Sequence, residues 1–141
     1  MPDVTAVEFH NQSNPLKLSD PSGSARWIAN AVKKEGKRLR SLQIVFCNDK
    51  YLLKINKTFL HHNTLTDIIT FDYSEGLQID GELYISIPRI RENAKKFSVT
   101  LDEEFHRVMI HGVLHLLGYT DKTTRQKSIM RKKEDAYLSL R

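Results

Sequence analysis

The amino-acid sequence predicts an α+β fold in which a mixed β-sheet packs against helices. Two patterns carry this prediction: short apolar or alternating segments typical of strands, and longer segments whose apolar residues recur every three to four positions, as in amphipathic helices. Along the chain they follow one another in the order βαβαββααα, which implies a mixed sheet with helices packed on it. With 141 residues, 40% of them hydrophobic, we expect one compact domain over residues 1–141.

Four segments have the pattern of strands. Residues 4–10 alternate apolar and polar side chains, and residues 42–47 are short, apolar and partly β-branched, which is typical of an interior strand. Residues 67–73 and 81–87 follow. The link between them, residues 74–80, is short enough for two antiparallel neighbours.

Helix signals separate and follow these strands. Pro21 suits the first turn of a helix that ends near Gly36. Asn48 is a typical N-cap for a second helix over residues 49–59.

Three more helices are expected in the C-terminal part of the chain. Pro88 ends the fourth strand and suits the start of a helix over residues 89–97. Thr100 begins a capping box with an acid three residues later, so a long helix is expected from there to Gly118. Residues 124–140 are expected to form the last, amphipathic helix.

The composition excludes several classes of protein. Six glycines, four prolines and 28% charged residues exclude collagen-like, low-complexity and wholly disordered chains. No apolar run approaches the roughly 20 residues that a membrane span needs, and the N-terminus lacks a signal-peptide pattern, so we expect a cytoplasmic protein. The formal charge of +5 favours polyanionic partners.

The segment HGVLHLLGYTD contains a candidate metal site. His111 and His115 are four residues apart on a predicted helix, so their side chains point within about 40° of each other and can reach one ion. Gly118 can adopt the left-handed conformation, which would bring Asp121 back toward both imidazoles as a third ligand. These ligands suit one Zn²⁺ per chain at the C-terminal end of a central helix, with nickel, manganese or iron as alternatives, and they leave a fourth position for water. The other interpretation is a chance pair of histidines beside an ordinary helix ending.

The same spacing occurs in the metzincin signature H-E-x-x-H-x-x-G-x-x-H, which makes a zincin-type metallopeptidase an alternative. Gly112 stands where that signature has the glutamate that serves as general base, and Asp121 stands where it has the third histidine. A peptidase of that type would lack its base. No catalytic residue beyond the metal ligands is identifiable.

The sequence resembles the YbeY family of bacterial metal-dependent single-strand endoribonucleases. Four segments carry the resemblance: HGVLHLLGYTD, INKTFLHHNTLTDIITFDY, GELYISIP and ENAKKF. The resemblance implies a zincin-like fold and a zinc ion held by His111, His115 and Asp121. It also implies an endoribonuclease that acts on single-stranded RNA in ribosomal RNA processing, notably at the 3′ end of the small-subunit (16S) RNA, and in ribosome quality control. Ribosomal RNA or ribosomal subunits are then the expected partners.

Two positions depart from the family pattern. The family usually has a histidine where this chain has Asp121, and zinc binding is expected to survive because aspartate is an ordinary zinc ligand. The family commonly has an arginine, suited to stabilise phosphoryl charge, where this chain has Leu60. Lys57, His61 and His62 are candidates to replace that cation. The missing arginine favours a third hypothesis, a non-catalytic metal-containing ribosome- or RNA-binding factor.

The remaining candidate residues are expected to support the metal ligands or to bind RNA. Thr66 and Asp67 match the family motif and are expected to support the metal ligands by hydrogen bonds, with His62 as a reserve candidate. Residues 122–133 contain six cations and no acid, so they could guide an RNA backbone toward the ion, although such runs are commonly solvated helix faces. The candidate RNA contacts are Lys127, Arg131 and Lys132, followed by Arg89 and Arg91.

Overall fold

The computed structural model describes residues 6–12, 18–61 and 66–141, which contain four strands and five helices. The strands are β1 (Val7–Asn11), β2 (Arg38–Cys47), β3 (Ile68–Asp72) and β4 (Gln78–Ser86). The helices are α1 (Pro21–Lys34), α2 (Asp49–Leu60), α3 (Ile87–Phe97), α4 (Leu101–Leu116) and α5 (Thr124–Leu138). The predicted α+β class and the predicted order of elements are confirmed.

The sheet is mixed and has the strand order β1-β2-β4-β3. β1 pairs with β2 and β2 pairs with β4 in parallel, whereas β3 runs antiparallel to β4, as the short link between them predicted. In β4, Leu83 lies opposite Ile44 of β2 and Thr70 of β3. β2 and β4 begin earlier than predicted, because pairing of Arg38 with Gln78 extends both strands beyond their apolar runs.

Helices cover both faces of the sheet. On one face α1, α4 and α5 bury a large core that includes Ile28, Leu83 and Val113, and on the other face α2 buries a smaller cluster that includes Leu52 and Ile69. Each large side chain buried in this way contributes about 1.5–3 kcal/mol. α4 contacts β3, β4, α1, α3 and α5, so it is the central helix of its layer. None of the helices in the described ranges is long and apolar enough to cross a membrane.

The position of α4 on the sheet depends on its cap and on one glycine. The N-cap of the helix is Thr100, whose hydroxyl oxygen accepts a hydrogen bond of 3.1 Å from the Glu103 amide, which is one of the two bonds of the predicted capping box. A Cβ at Gly112 would lie 2.8 Å from Ile68 Cδ1 and from Leu83 Cδ2, so glycine lets the helix pack this closely without displacing the ends of these two side chains. α4 therefore brings its C-terminal turns close to β3 and β4.

Candidate metal centre

The last turns of α4 place two histidines side by side. His111 and His115 are one helical turn apart, their ring centroids are 4.6 Å apart, and their Nε2 atoms are 3.0 Å apart. Both side chains are partly exposed, with 26% and 29% of their surface accessible. The i, i+4 spacing in the sequence predicted this pairing.

The chain reverses directly after α4 and returns a carboxylate to the histidines. Gly118 has φ +104°, in the region that favours glycine, and the Tyr119 amide donates to the Leu114 carbonyl at 3.0 Å. Asp121 Oδ2 then lies 3.4 Å from His111 Nε2 and 3.3 Å from His115 Nε2. The structure thus brings together the three predicted ligands, which form a group that could hold a metal ion.

Hydrogen bonds at the opposite ring nitrogens orient both imidazoles. His111 Nδ1 lies 2.7 Å from Glu134 Oε2, and His115 Nδ1 lies 3.0 Å from the Tyr119 carbonyl oxygen. A carboxylate and a carbonyl can only accept, so each Nδ1 carries the hydrogen and donates it. In the neutral imidazoles, the Nε2 lone pairs therefore face each other and Asp121. Such partners commonly orient the ligands of protein metal sites.

The spacing and chemistry of these three atoms fit a small divalent cation. Three lone-pair donors at 3.0, 3.3 and 3.4 Å repel one another unless a positive charge lies between them. A tetrahedral zinc ion with ligand bonds of about 2.0–2.1 Å sets its ligand atoms about 3.3–3.4 Å apart. The atom types suit zinc, and the two histidine–aspartate separations of 3.3 and 3.4 Å match this value, whereas the separation of 3.0 Å between the two histidine nitrogens is shorter.

Glu134 on α5 supplies most of the electrostatic support and was missed by the sequence analysis. It is only 5% exposed, and Arg107 donates to its second oxygen at 2.9 Å. Burial lowers the pKa of His111, but the hydrogen bond and charge of Glu134, with the charge of Asp121, outweigh burial and raise that pKa. A local excess of negative charge of this kind favours a cation. The available signal was an acid between Met130 and Tyr137 on the apolar stripe of α5.

A second, partly buried carboxylate anchors the loop that follows α4. Glu35, at the end of α1, accepts a hydrogen bond of 2.6 Å from the Tyr119 hydroxyl and another from the Tyr137 hydroxyl. Lys133 Nζ lies 3.2 Å from the same carboxylate. Burial raises the pKa of Glu35, but these donors outweigh it and lower the pKa, so Glu35 is ionised at neutral pH. This network therefore connects Tyr119, whose carbonyl orients His115, to α1 and α5.

Two cavities meet at the candidate metal centre. The first, of about 470 Å³, lies between α3, α4 and α5, and the second, of about 540 Å³, follows β3. They share four lining residues, which are Asp67, Ile68, His111 and Asp121. The groove that they form is large enough for a ligand on either side of the three converging atoms.

The structure separates the predicted RNA contacts into two groups. Lys127 and Arg131 line the first cavity. Arg89 instead pairs with Asp49 at 3.2 Å and with Glu92 at 2.7 Å, so it joins α2 to α3. The predicted contacts that line neither cavity are Lys132, Arg89 and Arg91.

The remaining predicted residues lie at the edge of the site or outside the described ranges. Thr66 and Asp67 line the second cavity; the Thr66 hydroxyl donates to a backbone carbonyl at 3.3 Å, and Asp67 accepts from Asn93 Nδ2 at 3.2 Å. Their predicted hydrogen bonds to the metal ligands stay a prediction. His62 lies outside the described residues, and Leu60 is the last residue of α2, with 39% of its surface exposed.

Comparison with known proteins identifies the family. A family model described as endoribonuclease YbeY matches residues 7–140. The endoribonuclease YbeY of Flavobacterium psychrophilum is 45% identical over 130 residues, which cover 92% of this chain and 93% of the relative. That of Cytophaga hutchinsonii is 46% identical over 136 residues, which cover 96% and 95%. A Thermotoga maritima protein of known solution structure has the same fold, with a TM-score of 0.68 and 24% identity over 94% of this chain and 87% of that chain. The chain therefore belongs to the endoribonuclease YbeY family.

Proposed function

We propose that this protein is a metal-dependent endoribonuclease that cuts single-stranded RNA. The observation that carries the proposal is the convergence of His111 Nε2, His115 Nε2 and Asp121 Oδ2 within 3.4 Å of one another. Family membership supports the reaction, because the matching relatives are named endoribonucleases. We assign the three residues as ligands of one zinc ion, in a zincin-like arrangement at the C-terminal end of α4.

The side chains of the site prepare it for this chemistry. When bound, a zinc ion lowers the pKa of a coordinated water and polarises a phosphoryl oxygen. His111 and His115 offer neutral nitrogens to the ion, since Glu134 and the Tyr119 carbonyl hold their Nδ1 hydrogens in place. The groove extends on both sides of the candidate metal centre, so it can hold the middle of an RNA strand as well as its end.

The biological substrate that we propose is ribosomal RNA. The resemblance to the family implies maturation of the 3′ end of the small-subunit RNA and a role in ribosome quality control, with ribosomal subunits as partners. The net charge of +5 is consistent with a polyanionic substrate.

The packing of Gly112 disfavours the metallopeptidase alternative. A side chain at this position would enter the space occupied by Ile68 Cδ1 and Leu83 Cδ2, both 2.8 Å from a Cβ built there. A glutamate there would face the sheet rather than the metal ligands. A non-catalytic RNA-binding factor is the second candidate, and Leu60 in place of the usual arginine favours it.

Metal analysis combined with cleavage assays tests the proposal. Protein purified without added metal should hold about one divalent ion per chain, and it should cleave single-stranded RNA until a chelator is added. His115→Ala should lose both properties. His10→Ala is the matched control, because His10 is an exposed histidine on β1 that lines neither cavity of the site.

Each alternative has its own outcome in this experiment. Retention of parental metal content by the double variant His111→Ala/His115→Ala would overturn the ligand assignment. Stoichiometric metal with RNA binding and no cleavage would favour the binding factor, and chelator-sensitive hydrolysis of casein would favour the peptidase.

A further inference from the structure

The first cavity has a buried floor and two exposed rims of different chemistry. Glu104, Val108 and His111 follow one another at i, i+4 and i+7 along one face of α4, and they form the floor that leads to the metal ligands. The end of α3 forms one rim and the outer face of α5 forms the other. A ligand in this cavity is therefore held between α3 and α5, directly beside the candidate metal centre.

The α3 rim carries an aromatic ring that packing leaves more than half exposed. Phe97 is the last residue of α3, lines the cavity and is 54% exposed. Ile87, Ile90 and Ala94 are the buried residues of α3, whereas Phe97 is absent from both apolar clusters of the core. Among the described residues, the ring of Phe97 makes a cation–π contact with Lys96, whose Nζ lies 5.6 Å from the ring centroid. A large exposed ring at the edge of a binding groove is available to a ligand.

The α5 rim carries two cations that point into the same cavity. Lys127 and Arg131 are one helical turn apart and both line it. Arg131 has 61% of its side chain exposed, and its nearest acid, Glu134, is 3.7 Å away. The third cation of the cavity, Arg107, is already held by carboxylates on α5 at 2.9 and 2.7 Å. Lys127 and Arg131 are therefore the cations of this cavity that can bind a phosphate.

The acids of the cavity are buried or already have partners, so the exposed cations of the α5 rim stay available to a phosphate. Glu104 and Glu134 are each only 5% exposed, and Glu134, which lies 3.7 Å from Arg131, is already bound to Arg107 and His111. Asp67 accepts a hydrogen bond from Asn93, and Asp121 faces the histidines. A phosphate is thus favoured at the exposed cations, and an uncharged group is favoured between them and the α3 rim.

Resting on the proposed function, we propose that this cavity is a nucleotide subsite, in which Phe97 stacks on a base of the single strand and Lys127 and Arg131 bind its phosphates. Aromatic stacking combined with a cationic backbone track is the usual way in which proteins hold single strands without reading sequence. Among the described residues, the second cavity is lined by Thr66, Thr70, Asp72 and His115 besides the shared residues, and none of these is a lysine or an arginine. In the described part of the chain, the cations available to the strand therefore lie on the first-cavity side of the candidate metal centre.

Binding of a short fluorescein-labelled single-stranded RNA, measured by anisotropy, tests the stacking contact. Phe97→Ala should weaken binding by roughly fivefold to a hundredfold, the range measured for loss of one base-aromatic stack, and Phe97→Trp should restore it. Tyr73→Ala is the matched control, because Tyr73 is also 54% exposed but lines neither cavity. Equal affinity of Phe97→Ala and the parent protein would overturn the subsite.

A series of RNAs with one abasic nucleotide, moved along the strand, locates the base. At one position, removing the base should weaken RNA binding by the parent protein by the same factor as the Phe97→Ala substitution does. Removing the base at that position should not weaken RNA binding by the Phe97→Ala variant any further. That position should lie on one side of the cleavage point. Equal losses in both proteins at every position, or sensitive positions on both sides, would overturn the assignment.

Salt dependence separates the ring from the cations. Lys127→Gln and Arg131→Gln should each reduce the slope of log affinity against log salt by about 0.7, the value for one phosphate contact on a single strand. Phe97→Ala should leave that slope unchanged, since stacking releases no counterions. A parent protein that binds RNA without cutting it would refute only the proposed function, whereas cleavage and binding unaffected by all three substitutions would refute only the subsite.

Discussion

The substitution Glu134→Gln should weaken zinc binding without removing any metal ligand. Glutamine keeps the size of the side chain and one hydrogen-bond acceptor for His111 Nδ1, but it removes the negative charge. The present contact is 2.7 Å long and its acceptor is a buried carboxylate. A hydrogen bond to a charged group contributes about 1.5–3 kcal/mol, compared with about 0.5–1.5 kcal/mol for a neutral pair.

The expected loss is therefore about 1–1.5 kcal/mol, or about a tenfold increase in the Kd for zinc. This value lies at the lower end of the roughly 10- to 100-fold losses found when outer partners of metal-binding histidines are removed. Removing the charge should also lower the pKa of His111, because Glu134 is the main group that raises it against burial.

Competition with a chromophoric zinc chelator of known affinity measures the Kd. Asp135→Asn is the matched control: Asp135 lies on the same helix and binds the same Arg107, at 2.7 Å, but it is an exposed carboxylate without contact to His111. Its Kd for zinc should stay within about twofold of the parent value. Parental affinity in Glu134→Gln, or an equal loss in Asp135→Asn, would refute the reasoning.

Three further predictions follow from single residues. Gly112→Glu should destabilise the protein by more than about 4 kcal/mol in denaturant titration, because a charged side chain would be forced against Leu83, and a stable variant would contradict the packing argument. Burial lowers the pKa of His106 below its ordinary value of 6.5, so the unfolded chain binds the additional proton and the free energy of unfolding falls as the pH drops below 6.5. His106→Gln should flatten this dependence, and an unchanged slope would exclude His106 as its source. Leu60→Arg should raise the single-turnover cleavage rate at unchanged metal content, toward the roughly hundred- to thousandfold that one transition-state donor contributes, and a flat rate would show that another cation already acts there.

The sequence by itself determined the order of the elements and the placement of the three candidate ligands. The spacing of His111 and His115 sets their common direction on any α-helix, and Gly118 has the positive φ expected of a glycine that closes a helix. Both are local properties of the backbone, because the helical period and the left-handed conformation of glycine do not depend on distant residues. The same local patterns predicted the antiparallel pairing of β3 with β4.

Only the tertiary structure decided which groups surround those ligands. Glu134 meets His111 across 23 residues of chain, and Glu35 meets Tyr119 across 84. Phe97 likewise shares a cavity with Lys127 and Arg131, which lie on α5 and are separated from Phe97 in the chain by the whole of α4. These pairings depend on how α1, α3 and α5 pack against α4, which is decided by the summed burial of many apolar side chains rather than by any local period. A buried acid on an apolar stripe is visible in the sequence, but its partner is decided only when the helices pack.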